Sequence, residues 1–346
     1  MNELANYPTD YDAARTRFRK LAGKKGWKLH ALPVDGSNGL FIDIAHWQGS
    51  SEKLVVHTTG VHGVEAFPGS AVQSAFLDIW SPSTSDRPSI ALIHCINPFG
   101  MHYLRRWNAQ NIDLNRNFLP SYDNLPVNSL YARVDSFLNP QSIRQLSFFI
   151  LHVLRLLTQY GFSSLQQAIA QGQYNYPKGL FFGGKQRSTE VSLLLSFFQQ
   201  YLSEYRVVRG IDFHTGLGKL GQSSFYLENI SERQQQAELL LGQPIILARA
   251  EKTQSYQTQG SLTAYLQQFY ASSDYLMLTQ EIGTLSPVKI LRRLREENFY
   301  YQYQPDRRQL SAVRLRDAFS PENDQWRRKA VQAGVETLQR IVNYFH

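Results

Sequence analysis

The order of apolar segments in the first hundred residues most limits what this chain can fold into. Lys53–Thr59 and Ser89–Ile96 are short apolar runs with strand character, and Pro68–Trp80 between them has the pattern of a helix. A strand, a helix and a second strand in succession are typical of a parallel sheet with helical crossovers. The sequence therefore predicts an α/β fold.

The same organisation resumes in the second half of the chain, after a segment of different character. Val207–Phe213 and Tyr275–Glu281 predict strands. Residues 121–187 begin as a polar loop with prolines and contain the almost continuously apolar stretch Leu146–Leu157. We interpret 121–187 as a helical insertion within a single domain that spans residues 1–346. Further helices are expected at 190–205, 232–241, 262–269, 288–301 and 325–344.

Composition excludes several classes of function. The net charge is +8, but Lys and Arg are scattered and no aromatic residues alternate with them, so we expect no nucleic-acid partner. The single cysteine, Cys95, excludes an internal disulfide and a cysteine-based zinc site. Met1–Arg19 lacks the apolar core of a signal peptide, and no run of about 18 uncharged apolar residues predicts a membrane span. We expect a cytoplasmic protein that does not enter membranes; its oligomeric state is not predicted.

Two motifs place potential metal ligands directly after predicted strands. Thr58-Thr59-Gly60-Val61-His62-Gly63-Val64-Glu65 carries an imidazole and a carboxylate three residues apart in a glycine-rich turn. Gly210-Ile211-Asp212-Phe213-His214-Thr215-Gly216 supplies a further histidine at the end of another strand, with Asp212 on the same face as a partner for its ring. Three protein ligands that leave one position open are typical of a catalytic zinc site.

Two more motifs supply groups that could act on a substrate. Glu281 ends a third strand before Gly283, and a carboxylate beside a metal can take a proton from water and deliver it to a leaving group. Asn115 and Arg116 offer adjacent amide and guanidinium donors that suit a substrate carboxylate. Arg105 and Arg106 lie about ten residues earlier, and one of the two is expected to stabilise the oxyanion formed at a carbonyl.

Other histidines and the cysteine offer fewer possibilities. His57, within the strand before the first motif, is the one serious rival ligand. His94 and Cys95 are neighbours on a predicted strand, so their side chains are expected on opposite faces, which excludes a cysteine–histidine dyad.

In this order, the motifs resemble those of the zinc carboxypeptidase superfamily. His62-x-x-Glu65, Asp113-Leu114-Asn115-Arg116-Asn117, His214 and Glu281 follow the sequence of the family's site residues. Asn97-Pro98-x-Gly100, His214-Thr215-Gly216 and Glu281-x-Gly283-Thr284 look like an uncharacterised bacterial branch. The resemblance covers residues 10–300 apart from the insertion.

The resemblance implies a three-layer fold around a mixed, largely parallel sheet of about eight strands. It implies one Zn²⁺ per chain on His62, Glu65 and His214, with Glu281 as general base and acid. It further implies that Asn115 and Arg116 hold a substrate carboxylate and that Arg105 or Arg106 acts on the carbonyl oxygen. Tyr256 is the candidate for the mobile tyrosine that carboxypeptidases place over the substrate.

Three functions remain open at the level of sequence. The first is a zinc-dependent hydrolase that cleaves a peptide or amide bond beside a free carboxylate, as a carboxypeptidase does. The second is an N-acyl amino acid deacylase similar to aspartoacylase or succinylglutamate desuccinylase, which use related motifs. The third is an inactive binding protein on the same fold, which the presence of every expected catalytic residue disfavours.

Overall fold

One mixed sheet forms the centre of the molecule. The computed structural model describes residues 3–49, 52–81, 87–228, 231–248 and 259–345. The strands in these ranges are β1 Lys28–Asp35, β2 Leu40–Trp47, β3 Lys53–Thr59, β4 Ser89–His94, β5 Val207–Gly216, β6 Ser223–Glu228, β7 Ile246–Ala248 and β8 Asp274–Gly283. Their order in the sheet is β1-β2-β4-β3-β5-β8-β6-β7. The four central strands β4, β3, β5 and β8 are mutually parallel, whereas β1, β2 and β6 join antiparallel. The predicted α/β fold with a largely parallel sheet is confirmed.

Helices cover both faces of this sheet. Their bounds are α1 Tyr11–Lys24, α2 Ala66–Ile79, α3 Pro98–His102, α4 Ser129–Leu138, α5 Ile143–Leu146, α6 Phe149–Tyr160, α7 Phe162–Gln171, α8 Thr189–Phe197, α9 Gln234–Leu241, α10 Leu262–Phe269, α11 Pro287–Tyr303, α12 Gln309–Phe319 and α13 Asp324–Asn343. In the described part of the chain, none of them is long and apolar enough to cross a membrane.

Alternation along the central strands builds a separate core on each face. In β3, Val55 belongs to the core under α1, α2 and α13, whereas Leu54 and Val56 belong to the core under α8 and α10. Successive side chains of a strand point to opposite faces, so a strand that is apolar at every position must be covered on both sides. This explains why the continuously apolar runs in the sequence became central strands.

The segment 121–187 contributes four helices, α4 to α7, which pack with α11 and α12 around a third apolar cluster. Helix α6 is apolar on two sides. Its residues Val153, Leu156 and Leu157 line a cavity. Ile150, Leu151 and Leu154 on its other side are exposed. The organisation of the chain as one domain stays a prediction.

Several elements differ from the expectation. The edge strand β1 was not predicted, because Pro33 interrupts it next to an irregularity in its pairing and none of its residues is fully buried. Helix α12 was also not predicted. The helix expected at 190–205 ends at Phe197 and continues as a π-type turn, Phe198–Leu202.

Cys95 lies just beyond β4 with φ of 54°, so the argument from opposite strand faces does not apply to it. Its thiol contacts the sulfur of Met101, while His94 Nε2 lies 2.9 Å from the hydroxyl of Ser70. Burial raises the pKa of this thiol well above its ordinary value. His94 and Cys95 therefore form no dyad, because each side chain contacts a different partner and not because they lie on opposite faces of a strand.

Candidate active site

Two histidines and a glutamate meet at the carboxyl ends of neighbouring strands. His62 and Glu65 follow β3, with Glu65 in a single 3-10 turn, and His214 lies near the end of β5, which pairs with β3 in parallel. One potential ligand atom from each of the three residues lies within 4.8 Å of the other two. All three side chains are buried. The three ligands expected from the sequence are thus brought together by sheet topology.

A close backbone approach holds the first turn in place. A Cβ atom at Gly63 would lie 2.0 Å from the carbonyl carbon of Gly100, so only glycine fits there. Gly63 N also donates to the carbonyl of Arg106, and Val64 N donates to that of Arg105. These contacts fix the turn that carries both ligands against the loop after β4.

Carboxylates orient both imidazoles. His62 Nδ1 lies 2.9 Å from Glu65 Oε1, and its Nε2 lies 3.1 Å from Asp113 Oδ1. His214 Nδ1 lies 3.1 Å from Glu65 Oε2, and its Nε2 lies 2.7 Å from Asp212 Oδ2. An imidazole whose Nε2–H donates to a carboxylate keeps a lone pair on Nδ1, which is the usual arrangement behind a metal ligand. The donor set of two Nδ1 atoms and one carboxylate fits a zinc ion.

The charges in this cluster are strongly coupled. Burial opposes ionisation of Glu65, but His62 and His214 outweigh it and hold the pKa of Glu65 below its ordinary value. Burial likewise lowers the pKa of His214, but Asp212 and Glu65 outweigh it and raise that pKa well above the ordinary value. The cluster therefore concentrates negative charge at a buried point, where a cation would be favoured.

The two adjacent arginines have different environments. Arg106 lines the cavity, donates to Asp113 at 3.1 Å and to Glu65 at 3.3 Å, and has Nη2 2.7 Å from His62 Nε2. A nitrogen that donates to Asp113 cannot also accept from Arg106, so these two contacts of His62 Nε2 exclude each other. Arg105 does not line the cavity; it is fully buried and donates to Glu297 at 2.9 Å. The structure thus brings Arg106 to the site and places Arg105 in an interior ion pair.

Glu281 faces the same cavity from the next strand. It pairs in register with His214 across β5 and β8, and its Oε2 accepts from the backbone N–H of Leu217 at 3.3 Å. Burial raises its pKa to about 8, although the nearby His214 acts in the opposite direction. A cation bound between His62, Glu65 and His214 would favour the ionised carboxylate. Glu281 is therefore placed to exchange a proton beside the candidate metal site.

Asn115 and Arg116 also line the cavity, on a 3-10 turn that Asp113 caps. Asn115 Oδ1 accepts from Leu262 N at 3.0 Å. Arg116 Nη1 donates to the carbonyl of Asn115 at 2.8 Å, and its buried Nε has no partner among the described residues. Burial lowers the pKa of Arg116, and Asp113 partly offsets this effect. A buried guanidinium with unused hydrogen-bonding capacity suits an anionic group.

Two sequence candidates do not join the site. His57 is buried within β3, with its Nδ1 3.1 Å from Gln73 Nε2, and burial lowers its pKa to about 4. It is absent from the metal-ligand cluster found in the described residues. Tyr256 lies outside the described residues.

The cavity has a volume of about 310 Å³ and two kinds of lining. Polar groups on the sheet edge that sequence reasoning missed are Tyr226, Glu228 and Thr279. The remainder is apolar and comes largely from 121–187 and α11. We call this part, lined by Val134, Val153, Leu157, Ile169, Ile290 and Leu294, the apolar chamber. The apolar character of Leu146–Leu157 was visible in the sequence, but nothing local indicated that it faces the site.

Comparisons with known proteins identify a family and a shared fold. A family model described as "Protein of unknown function (DUF2817)" matches residues 7–333. No curated protein matches the sequence. A crystal structure from Shewanella baltica described as a "putative metallopeptidase" has a TM-score of 0.52 and 14% identity, covering 98% of this chain and 93% of the other.

Two further solved structures are similar. A protein of the same description from Shewanella denitrificans has a TM-score of 0.51 and 14% identity, covering 97% of this chain and 90% of the other. A metallo-carboxypeptidase from Pseudomonas aeruginosa has a TM-score of 0.49 and 13% identity, covering 95% of this chain and 67% of the other. The two Shewanella structures show a shared fold, and the likeness expected from the motifs is confirmed at that level.

Proposed function

The chain belongs to the DUF2817 family, and on that premise we propose that it is a zinc-dependent hydrolase of peptide or amide bonds, similar to a carboxypeptidase. One observation carries the proposal. Two Nδ1 atoms and a carboxylate converge at a buried point, and a further carboxylate, Glu281, faces the same cavity.

His62, Glu65 and His214 would hold one Zn²⁺ per chain. A bound zinc ion supplies Lewis acidity, which polarises a carbonyl and makes water more acidic. The remaining chemistry belongs to the protein's own side chains.

Glu281 takes a proton from the attacking water as its oxygen bonds to the carbonyl carbon. The guanidinium of Arg106 donates to the oxygen that gains negative charge. The carbon–nitrogen bond then breaks, and Glu281 delivers the proton to the departing amine, so that one water is consumed and a carboxylic acid and an amine are formed. Asn115 and Arg116 hold the free carboxylate of the amine half. Tyr256 retains its proposed role over the substrate.

The test separates metal binding from turnover. Glu281→Gln is expected to keep about one zinc per chain by elemental analysis and to lose about 10²- to 10⁴-fold in kcat on amide substrates. Glu190→Gln is the control, because Glu190 is a buried carboxylate that accepts from Asn108 away from the cavity. Full turnover in Glu281→Gln would refute the proposed mechanism. Absence of zinc uptake by the wild type would refute the metal site and leave the binding-protein reading.

A further inference from the structure

The apolar chamber is part of the same cavity as the candidate metal ligands, and its purpose is not explained by hydrolysis alone. We propose that it binds a large apolar acyl group, so that the substrate is an amide whose acyl half is apolar and whose amine half carries a free carboxylate. The proposal rests on the proposed function, because it assigns the substrate class of that site.

Four helices make the chamber apolar. Val134 comes from α4, Val153 and Leu157 from α6, and Ile169 from α7. Ile290 and Leu294 face them from α11. Among the described residues, neither 121–187 nor α11 contributes a charged side chain to the cavity lining. Gln166 is the one polar side chain that these parts contribute to the lining among the described residues. A charged substrate group would lose its hydration there without gaining an oppositely charged partner.

The insertion is built to present this surface. Val153, Leu156 and Leu157 lie three and four residues apart on α6, so they share one face of the helix, and all three line the cavity. Ile150, Leu151 and Leu154 of the same helix are apolar but exposed, so apolar character alone does not dictate which residues turn inward. The inward face instead continues an apolar lining that reaches the metal-ligand cluster.

The polar groups of the cavity indicate which half of the substrate enters the chamber. Asn115 and Arg116 line the cavity from the 3-10 turn Leu114–Arg116, where the free carboxylate of the amine half would be held. The acyl half begins at the carbonyl carbon, whose oxygen Arg106 is proposed to contact, so it extends into the lining beside Arg106. Arg106, proposed to contact the carbonyl oxygen, has its guanidinium carbon 5.5 Å from the ring centroid of Phe181, which also lines the cavity.

Two substrate sources share this chemistry: a fatty acyl group on an amino acid, and an apolar aminoacyl residue in a peptide. The zinc-supplemented protein is assayed with N-acyl alanines of increasing chain length and with dipeptides in which Gly, Ala, Leu or Phe precedes alanine. In the matching series, kcat/KM is expected to rise about three- to fourfold for each added methylene until the chamber is full. The series that shows the rise identifies the source.

Variants locate the effect. Leu157→Trp fills the chamber and is expected to lower kcat/KM for the longest good substrate at least tenfold more than for the shortest. Leu157→Ala enlarges the chamber and is expected to move the optimum to longer groups. Leu154→Trp is the control, since Leu154 lies on the same helix but is 55% exposed and does not line the cavity. It is expected to behave as wild type.

A binding measurement keeps this inference separate from the proposed function. Isothermal titration of N-dodecanoyl alanine into Glu281→Gln is expected to show binding that Leu157→Trp weakens and Leu154→Trp does not. Hydrolysis with no dependence on acyl size would overturn the chamber assignment and leave the proposed function standing. If Leu157→Trp weakens binding but the wild type hydrolyses no amide, the chamber assignment stands and the proposed function is refuted. If neither hydrolysis depends on acyl size nor binding on the chamber variants, the inference is refuted.

Discussion

Arg105 and Arg106 are neighbours in the chain, yet the structure predicts opposite consequences for their replacement. Arg105 is fully buried, donates to Glu297, and also contacts Asn111 and Asn298 at 3.0 and 3.1 Å. Loss of one partner from a buried ion pair costs about 3–5 kcal/mol, because the other charge stays buried. Glu297 keeps Arg308 at 3.0 Å, so the lower end of this range is expected for Arg105→Met.

Urea unfolding measures this loss, which is large against a total stability of about 5–15 kcal/mol. In the double variant Arg105→Met with Glu297→Gln, part of the stability is expected to return, since the buried carboxylate that lost one of its two arginines is no longer charged. Turnover per folded molecule is expected to match wild type in both proteins.

Arg106→Met is expected to lose turnover rather than stability, with kcat lowered about 10²- to 10³-fold and zinc content retained. Because zinc would compensate the charges of Glu65 and Asp113, the folded state is expected to survive. The reasoning would be refuted if Arg105→Met were as stable as wild type, or if it lost turnover while Arg106→Met kept it.

Three further predictions follow from buried groups. Zinc at about 100 times its Kd is expected to raise the free energy of unfolding of the wild type by about 2.7 kcal/mol, and His214→Ala should show no such rise in thermal melts. Folded His57 has a pKa of about 4, against 6.5 for the unfolded residue. The unfolded state therefore binds the extra proton, and the free energy of unfolding should fall as the pH drops from 6.5 to 4. In urea titrations at several pH values, His57→Gln should reduce this slope by about one proton. A Cβ at Gly69 would lie 1.6 Å from the hydroxyl oxygen of Thr59, so Gly69→Ala is expected to cost about 1–3 kcal/mol by urea unfolding. Gly23→Ala, whose Cβ would lie 3.9 Å from Leu29 Cδ1, should be nearly neutral.

Local sequence patterns were sufficient for the central strands and for the metal-ligand cluster. Each of β3, β5 and β8 contains apolar residues and ends at or just before a glycine next to a polar side chain, and parallel strands of one sheet bring such ends to the same edge. His214 and Glu281 are paired with each other across the neighbouring parallel strands β5 and β8.

Other parts depended on contacts that no local pattern contains. The choice between Arg105 and Arg106 depends on Glu297, which lies 192 residues away from Arg105. Asp113 begins the motif that contains Asn115 and Arg116, but its contact with His62 depends on how the loop after β4 folds back. The facing of α6 toward the cavity was likewise undetermined, because both sides of that helix are apolar.

The insertion 121–187 lies in the chain between Glu65 and His214, so its length bears on how these two ligands are brought together. Glu65 and His214 are 149 residues apart, and removal of 121–187 would shorten that separation by a little under half. The entropy of closing a flexible loop changes by only about 0.6 kcal/mol for each factor of two in length. Loop closure therefore sets little limit on the length of the segment that lines the chamber. On the proposed function, one catalytic frame of this kind would serve acyl groups of different sizes.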